Sequence, residues 1–244
     1  MVREGTISVL MVTDSLYPVG GVERNFDRLV RHLDRSALTT KMVCLGRHDP
    51  RQQKLPKDVP LVHLGCNHVR NALLALKRII VADRPDILYS AKTHANTVAI
   101  AANILAGGTS RAIPSERLNL SAHISNQPPA RRWKWRATLL LAGLLYRRWA
   151  EKVVFVSQGA LEEGLSRLRL PDDLAMVIYN PTVDDTILVA SRRPLDHPWF
   201  SVDRDRPVLL AVGRLTGQKG FPYLLHGFRQ VRDQLASRLV LVGE

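Results

Sequence analysis

The chain alternates short aliphatic and β-branched runs with longer stretches whose apolar residues recur every three or four positions. Runs of the first kind predict buried strands, and stretches of the second kind predict amphipathic helices. Before residue 181, the predicted strands are residues 7–12, 39–46, 59–64, 86–90, 110–116, 152–157 and 176–180. The predicted helices in the same part of the chain are residues 22–34, 69–83, 93–107, 131–151 and 158–168. This alternation predicts parallel β-α-β units, and therefore an α/β domain with a Rossmann-like, doubly wound parallel sheet over residues 1–180.

The remaining residues predict the beginning of a second Rossmann-like domain. Residues 181–206 are rich in Pro, Asp and Arg and lack periodicity, which is typical of a linker. The alternation then restarts over residues 207–244, with strands at 207–213 and 238–243 and a helix at 221–236. Two strands and one helix are too few to form and cover a parallel sheet, so we expect this domain to be incomplete.

Composition and charge limit the classes of binding partner that we expect, but they do not identify one. The 244 residues are 45% hydrophobic and 23% charged, an ordinary globular composition. The formal charge of +13 favours polyanions such as nucleic acid, anionic lipid or phosphorylated metabolites. The sequence has no recognisable nucleic-acid-binding motif, so we expect no specific nucleic-acid partner.

Two features of the sequence bear on localisation. Cys44 and Cys66 lack metal-binding spacing, and we interpret them as buried free thiols, which suit a reducing cytoplasm. The longest apolar stretch, residues 137–145, is far shorter than the ~20 residues of a membrane-spanning helix. We therefore expect a cytoplasmic protein.

The first candidate site is the motif DSLYPVGGVERN, residues 14–25, between the first strand and the first helix. In an open parallel sheet, ligands bind at the carboxyl ends of the strands. Gly20 and Gly21 remove side chains at the start of the helix, so a phosphate could approach the unpaired peptide N–H groups there. The alternative is a turn that needs only positive φ, and the motif is not the G-x-G-x-x-G of dinucleotide-binding domains.

The second candidate site is GRLTGQKGF, residues 213–221, which also joins a buried strand to a helix. Arg214 follows the strand and Lys219 precedes the helix. A forked guanidinium, a point charge and a helix N-terminus together favour binding of a pyrophosphate. The alternative is a solvated basic turn.

In the second site and elsewhere, the sequence resembles the GT-B glycosyltransferases of family 4, also called glycosyl transferases group 1. AVGRLTGQKGF resembles the donor-binding VGRLxxQKG of that family, and LVLVGE, ending at Glu244, resembles the start of its V-G-E-G signature. Further similar segments follow the family's order along the chain: PVGGVERN, RPDILYSAKTHANTVAIAA, VVFVSQGALEEG and VIYNPTVDD.

The resemblance implies a GT-B fold and a reaction. A sugar would pass from a nucleoside-diphosphate sugar, with UDP or GDP as the nucleotide, to a hydroxyl of a glycan or lipid-linked acceptor. The family normally works with retention at the anomeric carbon and without a metal, so we expect no cofactor and no metal ligands. A role in cell-envelope or polysaccharide synthesis would follow.

The resemblance also implies roles for particular residues. Arg214 and Lys219 would neutralise the diphosphate leaving group. Gly20 and Gly21 would face the donor phosphates or the acceptor across the cleft. His94 would lie near the transferred sugar, or be a structural histidine. Glu116 is a candidate of the same kind, with a helix cap or salt bridge as the alternative.

One departure from the family affects activity. The family carries a Glu-x7-Glu motif well beyond V-G-E-G, where it contacts the donor sugar and ribose, and the 244 residues end before that point. We therefore expect this chain alone to have little or no transferase activity. Two alternatives stay open: a nucleotide-sugar epimerase of the same fold, and an inactive fragment that binds an acceptor or a membrane.

Two further segments suggest other chemistry. Asp203 and Asp205 form the D-x-D of metal-dependent glycosyltransferases, but they stand in the predicted linker, where a solvated loop is the simpler interpretation. The predicted helix 131–151 begins with basic and aromatic residues, which suit an anionic membrane surface. This favours peripheral association with the inner face of the plasma membrane; the alternative is a core helix with a solvated basic end.

Overall fold

The computed structural model describes residues 5–16, 21–47, 55–117, 120–125, 127–183, 185–201 and 206–243. The chain divides into two compact units, Met1–Thr182 and Val183–Glu244, and each is described by itself below. Gly20, Asp203, Asp205 and Glu244, named in the sequence analysis, lie outside the described residues.

A seven-stranded sheet, parallel throughout, forms the centre of the first unit. Its strands are β1 Ile7–Thr13, β2 Leu38–Cys44, β3 Leu61–His63, β4 Ile87–Ala91, β5 Arg111–Glu116, β6 Val153–Phe155 and β7 Ala175–Val177. They lie in the order β3-β2-β1-β4-β5-β6-β7. Each predicted strand of this unit is present, and the predicted α/β class with a doubly wound parallel sheet is confirmed.

The helices of the first unit lie on both faces of the sheet. They are α1 Gly21–His32, α2 Leu73–Asp83, α3 Thr93–Leu105, α4 Leu120–Ser125, α5 Pro129–Trp149 and α6 Gln158–Leu168. The connection through α1 runs from β1 outward to β2, whereas those through α2 and α3 run in the opposite direction across the sheet. Because parallel crossovers are right-handed, connections that run in opposite directions place their helices on opposite faces.

Alternate side chains of β1 contribute to the hydrophobic core on opposite faces of the sheet. Leu10 and Val12 pack with the buried residues of α2 and α3, while Met11 packs with Phe26 and Val30 of α1. A third cluster, around Phe155, joins α5 and α6 to α3 and to strands β5 and β6. Alternate residues of a strand point to opposite faces, so one aliphatic run supplies both layers.

The cysteines are free in both positions, with Cys44 buried and Cys66 only partly buried. Burial raises the pKa of the Cys44 thiol to about 11, so it stays protonated at neutral pH. The expectation that both thiols are buried is therefore wrong for Cys66.

The second unit contains one β-α-β unit. Strands β8, Val208–Val212, and β9, Arg238–Val242, pair in parallel and are joined through α9, Phe221–Arg232. Two short helices precede them: α7, Asp185–Ser191, and α8, Pro198–Ser201. The segment that we interpreted as a linker, residues 181–206, therefore contains two short helices.

Within the described ranges, no helix is both long enough and apolar enough to cross a membrane.

Candidate functional site

The sheet order reverses between β1 and β4, which lie side by side although α1, β2, β3 and α2 separate them in sequence. Connections that leave these two strands diverge, which opens a crevice at their carboxyl ends. The residues that follow β1 and β4 therefore form the candidate site of the first unit.

Lys92 is the central cation of this crevice. It directly follows β4, and its Nζ lies 2.6 Å from Oδ1 of Asp14, which follows β1, and 2.7 Å from Oε1 of Glu23 in the first turn of α1. The Glu23 side chain is 7% exposed, and those of Lys92 and Asp14 are 25% and 32% exposed. With all three groups ionised, this Lys92 triad carries one net negative charge.

The surroundings of Lys92 keep its side chain protonated. Burial lowers its pKa, but the charges and hydrogen bonds of Asp14 and Glu23 outweigh that effect and raise the pKa above its ordinary value. The backbone at Lys92 has φ 76° and ψ 133°, a region that residues with a Cβ rarely adopt. The triad thus holds the β1–α1 connection against the start of α3.

His94 lies in the first turn of α3, exposed to solvent. Its ring packs against Trp135 of α5, with 4.4 Å between the ring centroids. The imidazole is therefore on the surface at the carboxyl end of the sheet, where a bound molecule could reach it.

Glu116, the last residue of β5, has no exposed surface. Its Oε2 accepts a hydrogen bond from Thr93 Oγ1 at 2.8 Å, and its Oε1 accepts bonds from Tyr146 Oη at 2.5 Å and Asn96 Nδ2 at 3.2 Å. Burial raises the pKa of Glu116, and the three donors oppose that shift. This geometry favours a structural role for the Glu116 carboxyl group over direct contact with a substrate. The group fixes the start of α3 beside His94.

Gly21 begins α1 and is exposed. A Cβ at this position would meet no atom within 4 Å, so the start of the helix is open in the part of the chain that the structure describes. That opening suits the approach of an anion to the peptide N–H groups of the first turn.

Asn180, in the segment VIYNP, links three elements on the α1 face of the sheet. Its Oδ1 accepts hydrogen bonds from Arg117 Nη1 at 2.7 Å and from the side-chain amide of Asn25. Arg117 also donates to Tyr89 Oη at 2.6 Å, and its guanidinium lies 5.8 Å from the centroid of the Phe26 ring. This segment thus connects the end of β7 to α1, β4 and β5.

The candidate donor loop of the second unit leads from β8 into α9. A 3-10 turn, Gly217–Lys219, is followed by Gly220 at φ 67°, after which α9 begins. Arg214 and Lys219 are both exposed. A Cβ on Gly213 would lie 3.5–3.7 Å from the methylene carbons of Lys219, so the lysine stem lies along this glycine.

Close backbone approach explains two glycines at this loop. The N–H of Gly213 donates to the carbonyl of Val242 at 2.9 Å, and a Cβ on Gly243 would lie 1.8 Å from the carbonyl oxygen of Gly213. The ends of β8 and β9 therefore meet only because side chains are absent there.

No group of three His, Cys, Asp or Glu side chains suited to a metal ion occurs among the residues that the structure describes.

Residues 19–185 match the sequence model of Glycosyltransferase Family 4, which is more than half of the chain. The chain belongs to Glycosyltransferase Family 4. This membership confirms the resemblance seen in the sequence.

Individual relatives agree with the family assignment. An uncharacterized glycosyltransferase of Methanocaldococcus jannaschii is 33% identical over 95 residues, which are 38% of this chain and 24% of that protein. A glycosyltransferase from Rickettsia africae superposes with a TM-score of 0.62 at 17% identity, over 98% of this chain and 61% of that one. Anabaena HepE in complex with UDP and glucose superposes with a TM-score of 0.61 at 18% identity, over 96% of this chain and 60% of that one.

These comparisons show the fold and the family, and they show how much of its relatives' length the chain covers. It spans about a quarter of the M. jannaschii relative and about three fifths of the two solved structures. The roles of Gly21, His94, Glu116, Arg214 and Lys219 stay predictions.

Several residues of the candidate site were missed in the sequence. Lys92 stood in a segment that resembled the family but was not singled out there, and only the proximity of β1 and β4 brings it to Asp14 and Glu23. Asn180 stood in a segment that resembled the family and Arg117 did not, and nothing in their spacing indicated that they form a hydrogen-bonded pair.

Proposed function

We propose that this protein carries the acceptor side and the diphosphate-binding loop of a glycosyltransferase that uses a nucleoside-diphosphate sugar. The observation that carries the proposal is the match to Glycosyltransferase Family 4 over residues 19–185. In the reaction, the acceptor hydroxyl oxygen bonds to the anomeric carbon, and the bond from that carbon to the donor phosphate oxygen breaks. The nucleoside diphosphate leaves with the electron pair and takes up the hydroxyl proton. We further propose retention at the anomeric carbon, no metal requirement, and an envelope or polysaccharide glycan as the product.

Arg214 and Lys219 are the proposed ligands of the donor diphosphate. Both are exposed cations beside the start of α9, and the positive end of a helix dipole favours a phosphate there. Charge that develops on the leaving diphosphate would be stabilised by the fork of Arg214 and the ammonium of Lys219.

The Lys92 triad and His94 are the proposed acceptor-side groups. Lys92 already bonds to both carboxylates, and the triad keeps one net negative charge. A carboxylate can accept several hydrogen bonds, so Asp14 suits the hydroxyl groups of a sugar better than a phosphate. His94 presents an exposed ring that a sugar could pack against.

Helix α5 supports a proposal that the protein works at the inner surface of the plasma membrane, on a lipid-linked acceptor. Trp133, Leu140, Leu141 and Leu144 are 50–63% exposed. The helix has no Asp or Glu, and basic residues stand at both of its ends. An exposed apolar stripe flanked by cations suits the interface of an anionic membrane.

Calorimetric titration with UDP, GDP and their sugars tests the donor site. UDP comes first because the HepE complex contains UDP. We expect wild type to bind one nucleotide, Arg214→Ala/Lys219→Ala to lose that binding, and Arg229→Ala/Arg232→Ala to retain it. The second pair is the matched control, since it removes the same charge from exposed positions of α9.

Two outcomes would contradict the donor-site proposal. Nucleotide binding that survives in Arg214→Ala/Lys219→Ala would exclude the loop as the diphosphate site. No binding by a folded wild-type protein would exclude donor binding by this chain and favour an acceptor- or membrane-binding function.

A further inference from the structure

A basic pocket lies between α4, α5 and α6, apart from the Lys92 triad. Its volume is about 350 Å³, and it is lined by Ser121, Ile124, Ser125, Arg132, Arg136 and Arg167. Three of these six residues are arginines, and no carboxylate is among the lining residues that the structure describes. Guanidinium groups gathered in this way repel one another, and an anion between them relieves that repulsion.

Two of the arginines are held in place by α4 and the turn after it. Arg167 Nε donates to Ser121 Oγ at 3.0 Å. Arg132 donates from Nε to the carbonyl of Gln127 at 3.1 Å and from Nη2 to that of Ser125 at 3.0 Å. These bonds occupy a minority of the five N–H donors that a guanidinium carries. The pocket is therefore preorganised, and donors remain for a ligand.

The acidic residue beside the pocket does not cancel its charge. The Glu163 carboxylate accepts hydrogen bonds from the peptide N–H groups of Leu120 and Ser121 at 2.9 and 2.5 Å. Its oxygens are thus directed at the backbone where α4 begins. Glu163 therefore offsets at most one of the three positive charges of the lining arginines.

The pocket adjoins the proposed acceptor side through α5. Arg132, Trp135 and Arg136 are three and four positions apart, so they share one side of that helix. Trp135 is also the residue that packs against His94. A molecule anchored in the pocket could extend over the Trp135 ring to His94.

We propose that this pocket binds the phosphate or diphosphate group of the acceptor, at a site distinct from the donor loop. The inference rests on the proposed transferase function, which defines one substrate as the acceptor. Forked, charge-assisted hydrogen bonds from arginine suit phosphate oxygens. The anion has two sources, a lipid head group or a soluble phosphorylated sugar, which share this chemistry.

The test measures calorimetric binding of inorganic pyrophosphate in the Arg214→Ala/Lys219→Ala background, in which the donor loop is disabled. We expect the background variant to bind pyrophosphate. Adding Arg136→Gln should lower the affinity for pyrophosphate about tenfold, because hydrogen bonds to charged groups are strong. Arg136→Lys should fall between the two, because it keeps the charge and loses the fork.

Arg148→Gln is the matched control, because Arg148 is exposed on the same helix outside the pocket. An equal loss in Arg136→Gln and Arg148→Gln would overturn the proposal in favour of general charge attraction. Absence of pyrophosphate binding in the background variant would overturn it as well. Neither result bears on nucleotide binding by the wild-type donor loop, so the two proposals fail separately.

Vesicle binding distinguishes the two sources of the anion. Vesicles of phosphatidylglycerol and phosphatidylcholine are mixed with the background variant, with and without Arg136→Gln or Arg148→Gln. Loss of binding in Arg136→Gln alone identifies a lipid head group as the pocket ligand. Equal vesicle binding by all variants, together with pyrophosphate binding that depends on Arg136, identifies a soluble phosphorylated acceptor.

Discussion

Lys92 combines a strained backbone with two ion pairs. At φ 76° and ψ 133° a residue with a Cβ is disfavoured, and conformations of this kind cost of order 1–3 kcal/mol. The side chain offsets that strain by binding Asp14 and Glu23. The presence of a lysine where glycine would be less strained is explained by the two ion pairs of its ammonium group.

Two substitutions of Lys92 distinguish the effect of backbone strain on stability from the effect of the ammonium charge. Lys92→Gly and Lys92→Ala both remove the ammonium, so both should be less stable than wild type, by about 1–3 kcal/mol after allowance for partial exposure. Only alanine keeps the strain, so Lys92→Gly should be more stable than Lys92→Ala by about 1 kcal/mol. Urea unfolding measures both differences, and an alanine variant as stable as the glycine variant would contradict the strain.

The raised pKa of Glu116 makes the stability of the protein depend on pH in a defined direction. Its pKa is raised above 4.5 by burial, so its contribution to stability is full below that pH and is lost as pH rises through the folded-state pKa. Glu116→Gln keeps the shape and cannot ionise, so its stability relative to wild type should increase as pH rises from about 4.5 towards neutrality. Thermal unfolding over that range measures this trend, and a constant difference between the two proteins would show that the pKa of Glu116 is not raised in the folded state.

Glu116→Ala provides the contrast at the same position. It leaves the hydroxyls of Thr93 and Tyr146 and the amide of Asn96 without their acceptor. Unpaired buried donors are costly, so we expect a loss of about 2–4 kcal/mol in the free energy of unfolding. A loss no greater than that of Glu116→Gln would argue against the hydrogen-bonded cluster.

At the scale of elements, periodicity predicted the regular core and failed where helices are short. The predicted helices 22–34 and 158–168 appear as α1 and α6, because each carries an apolar stripe over several turns. Helix α4, Leu120–Ser125, is not among the predicted helices, because six residues are too few for a periodic signal. Its start is fixed by Glu163, a contact that depends on tertiary structure alone.

The candidate site was predictable only in part, for a related reason. Gly21, Arg214 and Lys219 stand in local motifs, so the sequence alone suggests them. The contact of Glu116 with Tyr146 spans 30 positions and that of Lys92 with Asp14 spans 78. No local pattern encodes a contact of that separation.

Replacement by alanine should have opposite effects on stability at two glycines of α6. A Cβ on Gly164 would lie 2.2 Å from Phe155 Cε1 of β6, whereas a Cβ on Gly159 would meet no atom within 4 Å. Gly164→Ala should therefore destabilise the protein by about 1–3 kcal/mol through overpacking. Gly159→Ala should stabilise it by up to about 1 kcal/mol through helix propensity. Urea unfolding of both variants measures the effects, and a neutral Gly164→Ala would show that α6 does not approach β6 so closely.

At the scale of the whole molecule, strand order determines which residues can act together. The reversal between β1 and β4 brings the β1–α1 connection to the start of α3, and β5 adds Glu116 beside them. If β1 and β4 were not neighbours in the sheet, Lys92 would not lie between Asp14 and Glu23. The triad is therefore a consequence of topology, even though each of its members has a local role.

The described surface also exposes several large apolar side chains. Leu210 and Val212 lie on one face of β8 and are 61% and 71% exposed, and Val242, the register partner of Val212, is 49% exposed. In the first unit, a largely apolar groove of about 470 Å³ lies against α1 and the sheet. Contiguous apolar patches of this kind favour association.

We therefore expect the 244-residue chain to self-associate in a concentration-dependent way, measurable by sedimentation velocity. Leu210→Ser/Val212→Ser should weaken that association, because it removes apolar area from the exposed face of β8. Leu195→Ser is the control, since Leu195 is 62% exposed but lies outside the β8–β9 sheet. A monodisperse monomer over the whole concentration range would refute the expectation. Equal weakening by the control would show that total apolar exposure, and not this face, drives the association.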